Sequence, residues 1–207
     1  MTREDAQFTK AVVFINSLVP LALLAWDATR QNIGANPLEY VTRTTGMLTL
    51  VFLMLSLAVT PLRKMTGWNW LGMHRRMLGL YAFFYGALHF LTYIWFDRFF
   101  NIRSTAGDVL QRPFIAVGFA AFLIMIPLAV TSTNKMVKRL GGRRWSLLHK
   151  SVYLAGALGA LHYWMLVKSD TRLPIGFAVV LAFLLGYRVF AANRRPKVET
   201  ESSILPR

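Results

Sequence analysis

Six apolar runs divide the chain, and charged or polar segments separate them. They cover about residues 11–26, 46–62, 77–96, 114–131, 150–167 and 174–190. The runs are continuous rather than alternating, which favours α-helices over the strands of a transmembrane β-barrel. Several are near the lower limit of roughly 17 residues for crossing the hydrocarbon core of a bilayer. The pattern predicts an all-α integral membrane protein, a six-transmembrane-helix bundle that forms one domain over residues 1–192.

Polar segments flank this predicted bundle at both ends. The N-terminal segment contains Glu4 and Asp5 and has no small-residue cleavage site, so we expect the first span to be retained rather than removed as a signal peptide. Residues 193–207 are polar, and we expect them to form a flexible cytoplasmic tail.

Basic residues dominate the charge of the chain, with 24 Lys and Arg against 9 Asp and Glu. They concentrate in alternate loops: Arg63, Lys64, Arg75 and Arg76; then Lys135, Lys138, Arg139, Arg143, Arg144 and Lys150; then Arg188, Arg194, Arg195 and Lys197. The positive-inside rule therefore places both termini in the cytoplasm. Because the membrane explains this excess, we expect contacts with lipid and no nucleic-acid partner.

Composition also excludes several kinds of site. The chain has no cysteine, which rules out disulfides, iron–sulfur clusters and thiolate zinc sites. No carboxylate falls in the middle of a span, although proton-coupled transporters usually need one. Gly141–Gly142 is typical of a turn and does not match the glycine pattern of a dinucleotide-binding site. The chain therefore has no site of this kind for NADPH, and electrons for any redox role must come from another molecule.

Four histidines form two pairs, His74 with His89 and His149 with His162, spaced 15 and 13 residues apart. Such spacing separates the members of a pair by roughly 20 Å along a helix. Two axial nitrogens on one metal lie only about 4 Å apart, so one helix cannot supply both ligands. Spans three and five are parallel, and His89 and His162 lie at matching depth, roughly 9–12 Å from the outer boundary. This arrangement predicts an axial pair for the iron of a b-type heme.

The inner histidines, His74 and His149, lie at the cytoplasmic edge. At 100° per residue, His149 falls about 220° from His162, so it either precedes the regular helix or serves another site. The guanidinium groups nearby suit heme propionates or a flavin phosphate, although ordinary inner-loop charge explains them too. They belong to Arg75, Arg76, Arg143 and Arg144.

Two alternatives stay open at this stage. A membrane histidine also serves as a hydrogen-bond partner between helices, which leaves a cofactor-free membrane protein as one reading. The small residues near the histidines fit either the approach of a macrocycle or plain helix packing; they include Gly86, Ala155, Gly156 and Gly159. The second alternative is a b561-like, quinol-dependent reductase with another acceptor.

A series of short motifs runs through most of the chain in a fixed order. They are Thr60–Pro61, Arg75–Leu80, His89, Arg112–Pro113, Thr131–Ser132, Trp145 with Leu148, His149 and Tyr153, and His162–Tyr163. In this order on six spans, they resemble the MsrQ family, the heme-binding membrane subunits of bacterial systems that repair periplasmic methionine sulfoxide. That family belongs to the ferric-reductase-like transmembrane domains.

The resemblance implies a multi-pass protein of the bacterial inner membrane that binds heme b through His89, His149 and His162. It also implies FMN, with electrons passing from quinol or a cytosolic flavin reductase to a periplasmic molybdopterin subunit of the MsrP type. That partner would perform the sulfoxide chemistry, and this chain would supply no catalytic residue. His74 is not characteristic of the family, which favours one heme with an adjoining flavin over a second heme.

The expected iron ligands are thus His89 and His162, with His149 as a further candidate. The expected cofactor-binding residues are these three histidines, Arg75 and Arg76, and more weakly His74, Arg143 and Arg144.

Overall fold

The computed structural model describes residues 2–193, which are all-helical with turns and contain no strand. Of the polar tail predicted for residues 193–207, only Asn193 falls in this range. The basic residues Arg194, Arg195 and Lys197 therefore lie outside the described residues, as does the prediction of a flexible tail.

Nine α-helices follow one another along the described chain. They are α1 (Arg3–Thr29), α2 (Pro37–Thr66), α3 (Arg75–Thr92), α4 (Ile102–Gln111), α5 (Pro113–Val130), α6 (Asn134–Leu140), α7 (Gly142–Leu148), α8 (Val152–Leu166) and α9 (Arg172–Asn193). Short 3₁₀ turns cover Asn69–Met73 and His149–Ser151, and one π-helical turn, Tyr93–Asp97, continues α3.

Five helical segments in the described range have the length and composition of a membrane span. They are Arg3–Thr29, Pro37–Thr66, Arg75–Asp97, Pro113–Val130 and Arg172–Ala191. The apolar run at 150–167 becomes α8, a helix of 15 residues. At 1.5 Å per residue α8 is about 22 Å long, less than the hydrocarbon core, because its first residues form a 3₁₀ turn instead. The count of six spans stays a prediction for this segment.

Three short helices lie in loops where the hydrophobic pattern gave no signal. Polar side chains cap the N-termini of two of them. Asn101 accepts a hydrogen bond from the Ser104 amide at 3.0 Å at the start of α4, and Thr133 accepts one from the Met136 amide at the start of α6. Gly141, with φ of 76°, separates α6 from α7.

Two long-range hydrogen bonds show the relative direction of α1 and α3. The Tyr81 hydroxyl donates to the Phe14 carbonyl at 2.9 Å, and the Tyr85 hydroxyl donates to the Ser17 carbonyl at 2.7 Å. Because the residue numbers rise together on both helices, α1 and α3 run in the same direction.

The buried core is built around α2. Half of its span is buried, against 11% for α1. Phe52 of α2 stacks on Tyr85 of α3 with ring centroids 5.2 Å apart, and Leu53 and Leu57 extend the same cluster. α2 packs mainly against α3, and α5 packs mainly against α8. These two helix pairs carry His89, on α3, and His162, on α8.

Candidate cofactor site

His89 points from α3 toward α2. Its Nδ1 lies 2.9 Å from the backbone carbonyl oxygen of Thr42. A carbonyl can only accept a hydrogen bond, so Nδ1 must carry the hydrogen. A neutral imidazole with its hydrogen on Nδ1 has a free lone pair on Nε2, the form that binds a metal.

His162 has the same arrangement between α8 and α5. Its Nδ1 lies 2.7 Å from the backbone carbonyl oxygen of Phe114, so this ring also keeps its hydrogen on Nδ1 and its lone pair on Nε2. Thr42 and Phe114 contribute only backbone atoms, and for that reason no side-chain pattern in the sequence marked them.

The rings of His89 and His162, paired above by depth, are adjacent. Their centroids are 6.1 Å apart, and their planes are inclined at 76°. A metal bound to both rings needs about 2 Å to each nitrogen and roughly 1 Å more to each ring centre, which totals about 6 Å. The observed spacing therefore fits one metal ion between the two rings.

The set of donor atoms also restricts the kind of metal group. Within residues 2–193, no three of the His, Asp and Glu side chains gather closely enough to hold a metal ion by themselves. Two imidazoles suffice only when the metal brings its other ligands with it, as the iron of a heme does through its macrocycle. The residues present fit heme better than a bare ion.

The small residues near these histidines pack against neighbouring helices. A Cβ built on Gly86 would meet Thr49 at 3.4 Å, one on Gly156 would meet Leu181 at 3.4 Å, and one on Gly159 would meet Leu50 at 3.0 Å. These distances favour the helix-packing explanation of the small residues over one based on space for a macrocycle.

His149 belongs to a different environment. It lies in the 3₁₀ turn before α8, so it precedes the regular helix, which was one of the two explanations of its angular mismatch with His162. The indole of Trp145 stacks on it with centroids 3.9 Å apart, and the same indole donates to the Thr131 carbonyl at 2.9 Å.

The hydroxyl of Thr131 fixes the tautomer of His149. Thr131 Oγ1 donates to the Pro127 carbonyl at 2.6 Å, which uses its only hydrogen. It must therefore accept from His149 Nε2 at 3.1 Å. The free lone pair of His149 is then on Nδ1, the opposite of the arrangement at His89 and His162.

A cavity of about 250 Å³ adjoins His149 between α2, α3, α5 and α8. Its polar lining includes Ser56, Arg75, Arg76, Ser132, Trp145 and His149. Burial lowers the pKa of His149, and the charges of Arg75 and Arg76 lower it further, so this ring is neutral at pH 7. The structure thus brings together Arg75, Arg76 and His149, while Arg143 and Arg144 lie exposed on α7.

His74 is placed elsewhere. It precedes α3, is only 4% exposed, and contacts the ring of Trp70 edge-on at 5.8 Å. Among the described residues, neither of its ring nitrogens has a hydrogen-bond partner. His74 is not one of the residues that line the cavity beside His149.

Arg188 of α9 takes part in this region, although the sequence marked it only as an inner-loop charge. It donates to the Tyr153 hydroxyl and to the Leu57 carbonyl, each at 2.7 Å. Among residues 2–193, neither Arg188, Arg75 nor Arg76 forms an ion pair with a carboxylate. Among residues 2–193, the positive charge beside this cavity is therefore not neutralised by a carboxylate, which suits an anionic ligand.

Comparisons with known proteins cover most of the chain. The family model for the ferric reductase like transmembrane component matches residues 45–160. The chain is 54% identical to a protein of Herminiimonas arsenicoxydans over 88% of this chain and 85% of that protein, and 55% identical to one of Ralstonia nicotianae over 87% and 84%. A protein of Azospira oryzae is 51% identical over 87% and 78%. Each of the three is named as the protein-methionine-sulfoxide reductase heme-binding subunit MsrQ.

Proposed function

The chain belongs to the MsrQ family of heme-binding subunits within the ferric-reductase-like transmembrane proteins, and on this premise we propose that it carries electrons across the bacterial inner membrane through heme held by His89 and His162. The observation that carries the proposal is the pair of imidazoles 6.1 Å apart, each with Nδ1 occupied by a carbonyl and Nε2 free. We further propose six membrane spans with both termini in the cytoplasm.

His89 and His162 would each present Nε2 to the iron of the heme. Heme, when bound, supplies one-electron redox chemistry at its iron. Each carbonyl holds its imidazole in one tautomer and one orientation, which is the usual role of the groups that surround metal-binding histidines. A carbonyl of α2 orients the ring of His89, and a carbonyl of α5 orients the ring of His162. The two free Nε2 atoms are therefore positioned by two separate helix pairs.

The cavity beside His149 is the proposed entry point for electrons. Its arginines, Arg75 and Arg76, suit the phosphate of FMN, and the stacked pair of Trp145 and His149 offers a planar apolar surface to a flavin ring or quinol. We infer that His149 serves this site rather than the iron between His89 and His162, because its ring lines this cavity and is held there by the hydrogen bond to Thr131. The proposed donors are quinol or a cytosolic flavin reductase.

The proposed acceptor is a periplasmic molybdopterin subunit of the MsrP type, docked on the outer loops. The names of the relatives include a protein-methionine-sulfoxide reductase, which supports such a partner. The reduction of methionine sulfoxide in oxidised periplasmic proteins would then take place on that partner. This chain would contribute electron transfer alone.

An optical spectrum of the purified protein tests the proposal. We expect a Soret band with sharp reduced α and β bands, which His89→Ala and His162→Ala should each abolish together with bound heme. His74→Ala is the matched control, because it removes a histidine outside the pair and should retain full heme content. Full heme in both His89→Ala and His162→Ala would refute the axial assignment, and an absence of heme in the unaltered protein would refute the cytochrome function.

A reoxidation experiment with the proposed partner distinguishes this function from that of a b561-like reductase. The reduced protein should be reoxidised when a periplasmic MsrP-type subunit and methionine sulfoxide are both added, and not when either is omitted. Reoxidation that ignores the partner would favour another acceptor.

A further inference from the structure

Two glycines lie directly against the paired imidazoles. A Cβ built on Gly46 of α2 would lie 3.0 Å from His89 Nδ1 and 3.1 Å from its Cε1. A Cβ built on Gly118 of α5 would lie 2.7 Å from His162 Nδ1 and 2.8 Å from its Cε1. Such distances are far shorter than the usual carbon contact of about 3.5–4.0 Å. Each ring thus occupies the space that the side chain of any other residue would need.

Each glycine follows the acceptor carbonyl by one helical turn. Thr42 accepts from His89, and Gly46 comes four residues later; Phe114 accepts from His162, and Gly118 comes four residues later. In an α-helix, side chains tilt toward the N-terminus and cover the preceding turn. A side chain four residues after a carbonyl therefore covers that carbonyl's second lone pair, whereas glycine leaves it open.

Backbone conformation does not account for these two glycines. In the described part of the chain, the glycines with positive φ are Gly34, Gly67 and Gly141. Gly46 and Gly118 have ordinary helical conformations in the interior of α2 and α5, where glycine costs about 1 kcal/mol relative to alanine. The benefit that offsets this cost is the access that they give to the two carbonyls.

We propose that Gly46 and Gly118 are positioning residues for His89 and His162, and this inference rests on the proposed function. Each glycine opens the carbonyl four residues before it, so that the imidazole can donate its Nδ1 hydrogen there and present Nε2 to iron. The same device occurs twice, once between α2 and α3 and once between α5 and α8. A donated Nδ1 hydrogen makes the imidazole a stronger electron donor, which favours the oxidised iron.

Alanine substitutions test the proposal in the full-length protein purified in detergent. Gly46→Ala and Gly118→Ala should each lower the heme content or, where heme is retained, shift the reduced α band and make the midpoint potential more positive. We expect the larger effect in Gly118→Ala, because its Cβ would lie closer to the ring. Gly86→Ala and Gly176→Ala are controls, since a Cβ would meet only ordinary contacts at the first and nothing within 4 Å at the second.

The readouts separate failure of this inference from failure of the proposed function. Helix content and monodisperse elution identify folded variants, and Gly46→Ala decides if Gly118→Ala does not fold. If His89→Ala and His162→Ala lose heme while a folded glycine variant keeps full heme, spectrum and potential, the inference is wrong and the function stands. An equal shift in Gly86→Ala would also overturn it. Full heme in both histidine variants would instead refute the function on which it rests.

Discussion

Replacing His74 with leucine should make the protein more stable, although it removes a buried histidine. The ring is 4% exposed, and neither of its nitrogens has a hydrogen-bond partner among the described residues. A buried polar group without a partner costs about 1–3 kcal/mol. Leucine fills a similar volume without that cost. For a chain of this size, 1 kcal/mol corresponds to about 2–4 °C in Tm, so we expect a rise of about 2–12 °C.

The same substitution should change the pH dependence of stability. Burial lowers the pKa of His74, and the charge of Lys10 lowers it further. The unfolded chain then binds a proton more readily than the folded one as the pH falls below about 6.5, so acid destabilises the folded protein. His74→Leu lacks this group and should lose less stability between about pH 8 and pH 5.5.

Thermal unfolding followed by tryptophan fluorescence in detergent measures both effects. His74→Gln is the matched control, because it removes the titration but keeps an unpaired polar group. We expect it to flatten the pH dependence without raising the Tm at neutral pH. A lower Tm in His74→Leu at about pH 8, combined with an unchanged pH slope, would show that the ring has a partner in the folded protein.

Three further substitutions test the cavity beside His149 and the packing of the bundle. Arg75→Gln should weaken flavin binding, measured by retained FMN, and leave the heme spectrum unchanged. Arg143 is exposed, so Arg143→Gln should change neither the FMN content nor the heme spectrum. Equal losses of FMN in the two variants would contradict the assignment of flavin to the cavity. Tyr85→Phe removes the hydroxyl that ties α3 to α1 and should cost about 0.5–1.5 kcal/mol in chemical denaturation, whereas an unchanged midpoint would show that this bond contributes nothing. Arg188→Met removes two hydrogen bonds from a charged group, each of which contributes about 1.5–3 kcal/mol, and should therefore lower the stability. A gain in stability would mean that repulsion from Arg75 dominates there.

Hydropathy predicted the membrane helices because a bilayer imposes a minimum length of apolar sequence. The predicted bounds differ most at the starts of α1 and α2. These helices begin eight and nine residues before the apolar runs at 11 and 46, because a capped polar turn can be helical without being apolar. The position of α4 was missed because its ten residues, Ile102–Gln111, lie in a mixed polar loop without a continuous apolar run.

Depth along two parallel helices was enough to pair His89 with His162, since rise per residue is constant. The partners of these rings could not be predicted, because backbone carbonyls are present at every position and only the three-dimensional packing selects Thr42 and Phe114. Arg188 was misread for a similar reason. Its guanidinium group reaches Leu57 of α2, which is far from it in the sequence.

His89 and His162 belong to different halves of the bundle. α2 and α3 form one closely packed pair and α5 and α8 another, with fewer contacts between the pairs. A metal group that bonds one ring from each half acts as a cross-link between them, so its binding free energy adds to the stability of the assembled bundle. Binding of the cofactor would then stabilise the contact between the two helix pairs, and its release would weaken that contact.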